Sequence, residues 1–529
     1  MVVITQDAPG RRGLGLLLPS AISLGAAVLG AGVNLALAVL IGRAYGAAET
    51  GTFFAIIGVF LVAANTLKLG ADTGLVRMLS RAVALGRPAQ IVPTVVSALW
   101  PVLVVAGLVA TIAYGGADAL ADALRPHDAA RTASMIRYLA IALPLMAVFA
   151  LATAVARGLG GIGAFALQQN VALPLTRLAG VLVAVWLGQS IVVATQWWAG
   201  GLPVLVVVAL AVAVRAVRRV PLTRADGLDQ APRPEPAPEA GVFAAFWRFS
   251  LPRAASAAIE IVLEWLDVIL VSILAGPAQA GVYAVATRLV KVSSIADYAL
   301  RVALSTRLSA ALATGDVDAV RRIYELGTRL LVALVWPYLA VLLVFGDVAA
   351  RVFGGDFAGA TALVAILAGG MAVVAGAGSL QSVLLLSGLS RQQLTNKIVV
   401  LAVSVVGNLV AVPAWGARGA AVVWALAVLT DTTLAARQVR RRVGVQVGWR
   451  PVREIGPAAL LCGFGSAVVF RGWLGPSVVA MGAAGIGALA LVAVVWCWPD
   501  LRGGSGSRSG SRSGSRSGSR SGSHGGNAS

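Results

Sequence analysis

The sequence predicts an all-α polytopic membrane protein of about 14 transmembrane helices, built as two parallel six-helix repeats plus two C-terminal helices. Three observations predict it. The chain has 529 residues, 58% of them hydrophobic and only 12% charged, with a mean hydropathy of +0.87. Water-soluble proteins carry about 25% charged residues, so a soluble domain could not cover its surface with this composition. Apolar stretches of about 18 or more residues recur along the chain, long enough to cross a bilayer as helices. The two halves of the chain also resemble each other at one fixed offset. The alternating polarity of an outer-membrane barrel strand is absent.

In chain order, spans are expected at 14–41, 51–75, 91–114, 135–156, 164–188, 190–214, 250–275, 281–303, 326–346, 358–386, 396–413, 416–435, 454–470 and 476–498. Residues 1–13 form a short N-terminal segment with Arg11-Arg12. The apolar run behind that pair exceeds the roughly 7–15-residue core of a cleavable signal, so the first helix is expected to stay. Residues 14–214 make the first six-helix lobe and 250–435 the second. Between them, 215–249 is a Pro- and charge-rich linker (RADGLDQAPRPEPAPEAG). A basic loop at 436–453 leads to two additional helices at 454–498. The tail 499–529 repeats S-G-S-R and cannot build a core, so it is expected to be disordered, with arginines free to meet anionic lipid.

The formal net charge is +20. In a soluble chain that would suggest nucleic acid. Here the cations sit in short loops and in the tail, and they alternate between the two sides. One side collects Arg11, Arg12, Arg77, Arg81, Arg87, Arg215, Arg218, Arg219, Arg224, Arg307, Arg321, Arg322, Arg391, Lys397, Arg437, Arg440, Arg441, Arg442, Arg450 and Arg453. The other holds few, among them Arg43, Arg351, Arg418 and Arg471. The positive-inside bias then puts both termini in the cytoplasm and makes a nucleic-acid partner unnecessary. The preference for Arg, Ala, Gly and Val fits GC-rich coding and a bacterial cytoplasmic membrane. The two cysteines, Cys462 and Cys497, lie in apolar segments and read as packing residues. No metal-ligand set, phosphate loop or HExxH motif is present, so neither a cofactor nor an enzyme is expected.

The repeat has an offset of 230 residues. GAAETGTFFAI at 46–56 aligns with GPAQAGVYAVA at 276–286, Arg77 with Arg307, and Asn34 with Glu264. Six spans is an even number, so the repeats enter from the same side and face each other across a cleft. Rocking of such lobes suits a carrier.

Ions inside the spans mark the chemistry. The stretch 250–275 carries Glu260, Glu264 and Asp267 at spacings of four and three, which puts all three on one helix face. The next span supplies Arg288 and Lys291, with Lys291 at the depth of Glu264. Lys68 and Asp72 are four apart and can pair on one face, and Arg177 falls near mid-depth. The bland alternative for each is a buried ion pair that fixes helix packing. Cations suit an anionic substrate; spare carboxylates suit a proton or sodium ion. Trp197, Trp198 and Trp247 fall at span ends and read as interfacial anchors.

With Gly46–Phe53 and Gly276–Tyr283 sharing G-x-x-x-x-G-x-[FY], R-G-L-G at 157–160 and two added helices, the chain resembles the multidrug/oligosaccharidyl-lipid/polysaccharide exporter superfamily. Within it, the chain looks like the Wzx-type polysaccharide-biosynthesis flippases. The resemblance implies a flippase that moves a polyprenyl-diphosphate-linked oligosaccharide from the inner to the outer leaflet, coupled to proton or sodium entry. Arg177, Arg288 and Lys291 are the positions that could meet the diphosphate. Glu260, Glu264, Asp267, Lys68, Asp72 and Asn34 are the candidates for ion coupling or cavity lining. Partners implied are the lipid-linked glycan, membrane lipid, and a polysaccharide polymerase or glycosyltransferases. A lipid II flippase, a multidrug/cation antiporter and a structural scaffold are the alternative readings.

Overall fold

The structure, a computed structural model, describes residues 9–124, 128–220, 241–387, 389–444 and 449–503. The core of the expected linker and the S-G-S-R tail lie outside the described residues. Every regular element within them is helical, as a chain with so few charges requires: helices satisfy their own backbone in lipid.

The first helix, α1 (Pro9–Thr66), contains the first expected span and most of the second. Gly46 kinks it, with φ 75° and ψ −179°, a conformation that a side chain would strain. A break at Leu67–Gly70 leads to α2 (Ala71–Ala84); Leu69 (φ 51°) and Gly70 (φ 71°) are both left-handed there. Then come α3 (Ile91–Gly115), α4 (Ala117–Ala123) and α5 (Ala129–Gly158), the last capped by Asp128, which accepts the Arg131 N–H at 3.0 Å. The fifth expected span is interrupted: α6 (Ile162–Leu167) passes through a π-helical turn at Gln168–Ala172 into α7 (Leu173–Trp186). Helices α8 (Ile191–Gly200) and α9 (Leu202–Arg218) end the first half.

The second half opens with α10 (Val242–Ala275), which runs unbroken through Pro252. Gly276 (φ 89°, ψ 163°) turns the chain into α11 (Pro277–Lys291), and α12 (Ser294–Ala313) follows a short break. Next are α13 (Val317–Val344), α14 (Gly346–Arg351), α15 (Ala360–Ala377), α16 (Leu380–Leu386), α17 (Ser390–Trp415) and α18 (Ala417–Val443). The additional pair, α19 (Arg450–Leu474) and α20 (Val478–Gly503), packs on α13. Gly456 and Gly463 permit this approach: a Cβ there would come within 2.7 Å of Trp336 and Ala340. Arg471 forks onto Asp347 at 2.8 and 3.1 Å and ties α19 to the α13–α14 corner.

Eleven helical stretches among the described residues are long and apolar enough to cross a membrane. One of them, Ser23–Ala84, holds the first two expected spans across the Gly46 kink. The acid-bearing α10 and the broken α11–α12 are not among the eleven. The chain is a multi-pass helical membrane protein.

The 230-residue offset is visible in the backbone. Gly46 and Gly276 adopt the same conformation at matching places. Gly51 and Gly281, also mates, meet each other where α1 crosses α11. A Cβ on Gly51 would lie 1.7 Å from the Pro277 carbonyl oxygen, and one on Gly281 would lie 2.1 Å from that of Ala47. At the end of α10 away from the Gly276 turn, that helix packs on α2 and α3. Ser250 sits against Gly70 and Gly74, and Trp247 Nε1 donates to the Ser97 carbonyl at 3.1 Å. The two halves therefore touch at both ends. Trp247 and Trp198 are buried packing residues rather than the expected interfacial anchors; Trp197 remains exposed.

Candidate functional site

Helices α10 and α11 build the polar cluster, and α1 supplies its opposite wall. The three acids of α10 do share one side of a helix, but they do not share an environment. Glu260 and Glu264 are exposed, while Asp267, closer to the Gly276 turn, is buried. Glu264 faces Lys291 of α11 at 3.8 Å, with both side chains about half exposed (53% and 43%). A loose, half-exposed pair of this kind contributes about 0–1 kcal/mol to stability. It leaves the Lys291 ammonium available to a stronger anion.

One turn earlier on α11, Arg288 lies between the halves. Its guanidinium sits 3.5 Å from the ring centroid of Phe54 on α1 and 5.7 Å from that of Trp265 on α10. Nη1 donates to the carbonyl of Ala284 on its own helix at 2.9 Å. No carboxylate among the described residues is within ion-pair distance of it. A guanidinium carries five N–H donors in a fork that fits phosphate oxygens two at a time. Arg288 and Lys291 thus present an adjacent guanidinium and ammonium with only one loosely held acid between them.

Asp267 is held differently. Oδ2 accepts the Tyr283 hydroxyl at 3.2 Å, and Oδ1 accepts Asn408 Nδ2 at 2.9 Å from α17. Both donors are neutral. The Oδ1 of Asn408 is buried without a partner, beside this carboxylate. A buried carboxylate caged by neutral donors, next to an unused oxygen acceptor, is an arrangement that can accept a proton or a small cation. Asn408 was not singled out from the sequence; an Asn in an apolar run is the signal that could have found it. Asn34, the repeat mate of Glu264, is exposed and donates to the Gly30 carbonyl at 2.9 Å.

One expectation is corrected, and one candidate lies apart from the cluster. Lys68 and Asp72 do not pair on a helix face, because the left-handed residues Leu69 and Gly70 break the helix between them. Lys68 Nζ donates instead to Asn65 Oδ1 at 2.6 Å, and Asp72 Oδ1 accepts the Thr73 N–H at 2.7 Å. Arg177 does not join Arg288 and Lys291. It stacks on Trp198, 3.9 Å from the ring centroid, and Trp198 meets Phe53 and Phe60 on a different face of α1 from Phe54.

A second polar cluster went unread in the sequence. Lys397 of α17 pairs with Asp431 of α18 at 2.8 Å, and Gln381 of α16 donates to the same oxygen at 3.0 Å. Both charged side chains are largely covered (21% and 16% exposed).

This arrangement of helices recurs in solved transporters. A structure of the lipid II flippase MurJ in an inward closed conformation superposes over 92% of this chain and 100% of its own, with a TM-score of 0.65 and 11% identity. An inward-facing multidrug-resistance MATE family transporter of the MOP superfamily covers 80% of this chain and 98% of its own, with a TM-score of 0.61 and 12% identity. The chain has the fold of the MOP-superfamily transporters. A further transporter of that superfamily, from Pyrococcus furiosus, matches at a TM-score of 0.54 and 16% identity over 80% of this chain and 95% of its own. In sequence, the chain is similar to the probable low-salt glycan biosynthesis flippase Agl15 of Haloferax volcanii, 25% identical over 218 residues. That match takes in 39% of this chain and 45% of the relative, so the chain spans about half the length of the curated relative it matches. No family model matches. The proteins so matched are named as flippases and transporters, not as enzymes.

Proposed function

We propose that this protein is a flippase that moves a lipid-linked glycan, with a diphosphate at the junction of lipid and sugar, from the inner to the outer leaflet. The observation that carries the reading is the position of Arg288. Among the described residues it has no carboxylate in ion-pair contact, and it is held by aromatic rings from both halves of the chain where the two lobes meet. An anion bound there touches both lobes at once. Lys291, one turn along, supplies the second cation for a diphosphate. The likeness to a glycan biosynthesis flippase supports the substrate class.

In this reading the lobes rock about the Gly51–Gly281 crossing and the Ser250–Gly70–Gly74 crossing, parting at one while closing at the other. Asp267 with Asn408 carries the coupling proton or sodium ion, in preference to the exposed Glu264. The chain sits in the bacterial cytoplasmic membrane with both termini in the cytoplasm, beside the glycosyltransferases and polymerase that make and consume its substrate. The test is a strain lacking the gene. It should accumulate a lipid-linked oligosaccharide in the inner leaflet and lose the surface glycan, with both restored by the intact chain. Unchanged surface glycan and no accumulated intermediate would remove the reading.

A further inference from the structure

Arg288 and Gly58 are mates at the 230-residue offset. Where the second half has a guanidinium, the first has no side chain. The gap is filled from across the seam: a Cβ on Gly58 would come 2.9 Å from Cε3 of Trp265. One turn before Gly58, the buried Phe54 of α1 reaches the guanidinium itself, with Cζ 3.5 Å from its ring centroid. Trp265 belongs to the same lobe as Arg288, and its ring centroid is 5.7 Å away. The two aromatic neighbours of Arg288 therefore sit on different lobes. One travels with it and one does not.

A separation of 3.5 Å is van der Waals contact, so the guanidinium lies flat on the Phe54 ring. Its face is covered, but its five N–H donors point outward in the plane of the group. The Ala284 carbonyl takes one of them at 2.9 Å. The others stay at the edge, where an anion binds. Covering the face keeps water off the cation, and an electrostatic contact strengthens as the local dielectric falls. The ring also fixes the plane of the fork before an anion arrives, which lowers the ordering cost of binding. Phe54 thus strengthens the anion site without touching the anion.

Position decides when that support is present. Phe54 lies three residues past Gly51, roughly 4.5 Å of helix, and Arg288 seven past Gly281, roughly 10 Å. Ser250, at the other crossing, is fifteen residues from Trp265 along α10, roughly 22 Å. The Phe54–Arg288 stack therefore belongs to the Gly51–Gly281 end. Parting the lobes there pulls Phe54 off the guanidinium. Parting them at the Ser250 end leaves the stack in place as a pivot.

We propose that Phe54 gives transport its direction: it completes the Arg288 anion site while the Gly51–Gly281 end is shut and withdraws from it when that end opens. The site then holds the diphosphate end of the substrate firmly while it faces the Ser250 side. It lets go on the side of the Gly46 and Gly276 turns, which the pattern of loop cations assigns to the outer face. The inference rests on the flippase reading and adds the residue that makes affinity follow conformation.

The test is calorimetric titration of the purified full chain with farnesyl diphosphate. Phe54→Leu should weaken binding about tenfold, the scale of a desolvated cation–π contact, and Phe54→Tyr should recover it. Gly51→Ala, whose methyl would meet the Pro277 carbonyl oxygen at 1.7 Å, should weaken binding by a similar factor. Adding Phe54→Leu to Gly51→Ala should bring no further loss. Gly74→Ala, whose methyl would crowd Ser250 Oγ at the opposite end, should bind like the intact chain. Intact affinity in Phe54→Leu overturns the inference and leaves the flippase reading standing. So do a Phe54→Tyr variant as weak as Phe54→Leu, losses that multiply in the double variant, and equal weakening by Gly51→Ala and Gly74→Ala. No binding to the intact chain, or full binding to Arg288→Gln, removes the flippase reading and this inference with it.

Discussion

Gly51 and Gly281 are in backbone contact: each stands where the other's helix leaves no room for a Cβ, and they are the same position in the two halves of the chain. The lobes are thus closed against each other at one end by two hydrogens. A methyl on either residue must push the halves apart, because the atoms it meets are backbone and cannot swing away. Overpacking of this sort costs typically about 1–3 kcal/mol. Gly51→Ala or Gly281→Ala should open the protein on the side of the Gly46 and Gly276 turns. With Cys462 and Cys497 replaced, a cysteine at Asn34 should then react faster with an impermeant maleimide added on that side. Labelling at the rate of the unsubstituted background would show that this crossing is not the gate.

Asp267 and Glu264 carry opposite expectations. Glu264→Gln removes half of a loose pair at 3.8 Å and should change thermal stability by less than about 1 kcal/mol. Asp267→Asn changes the species that Tyr283 and Asn408 converge on, and it should abolish the dependence of transport on the proton or sodium gradient. The comparison is made in proteoliposomes with an imposed gradient. If Glu264→Gln removes the dependence and Asp267→Asn keeps it, the coupling assignment reverses.

Lys397 and Asp431 should behave as a buried unit. Asp431→Asn leaves the ammonium without its carboxylate, and removing one partner of such a pair costs about 3–5 kcal/mol. Replacing both, Lys397→Met with Asp431→Leu, should be close to neutral. Unfolding of detergent-solubilised protein measures both variants; equal losses in the single and the double variant would contradict the coupling.

Asp347 gives a pH signature outside the spans. The Arg471 fork, above all, holds its carboxyl down at about 2. A depressed carboxylate stabilises the folded state fully above its unfolded value, about 3.9, and that contribution is lost as the pH falls towards 2. The difference in melting temperature between the intact chain and Asp347→Asn should therefore be constant near neutrality and shrink below about pH 4. The group is partly exposed, so added salt should reduce the difference. A gap that is independent of pH would mean that the fork acts through packing.

The sequence made the fold class plain because lipid leaves so few solutions. Low charge and recurrent apolar runs demand helices, and a repeat of six spans demands two lobes. Gly46 and Gly276 were legible as mates because a turn needs the same residue type twice. The site was legible only in part. The spacing of Glu260, Glu264 and Asp267 fixed their face, but not which of them would be covered by α17. Lys68 and Asp72 were misread because one glycine among 61 gives no sign that it will adopt a left-handed conformation. Trp198 and Trp247 read as interfacial in the sequence because sequence gives depth without neighbours. Lys397 looked like a loop cation because α17 extends well before its apolar core begins. In each case the missing fact was a contact between helices far apart in the chain.

In the proposed cycle, Arg288 receives the anionic end of the substrate between the lobes. It is tested most directly by Arg288→Gln in cells, with the accumulated lipid-linked oligosaccharide assigned to its leaflet. The expected result is a correctly inserted protein at normal level, the intermediate trapped in the inner leaflet, and surface glycan reduced at least about tenfold, the scale of a lost charge-assisted contact of about 1.5–3 kcal/mol. Normal surface glycan with no trapped intermediate would contradict it.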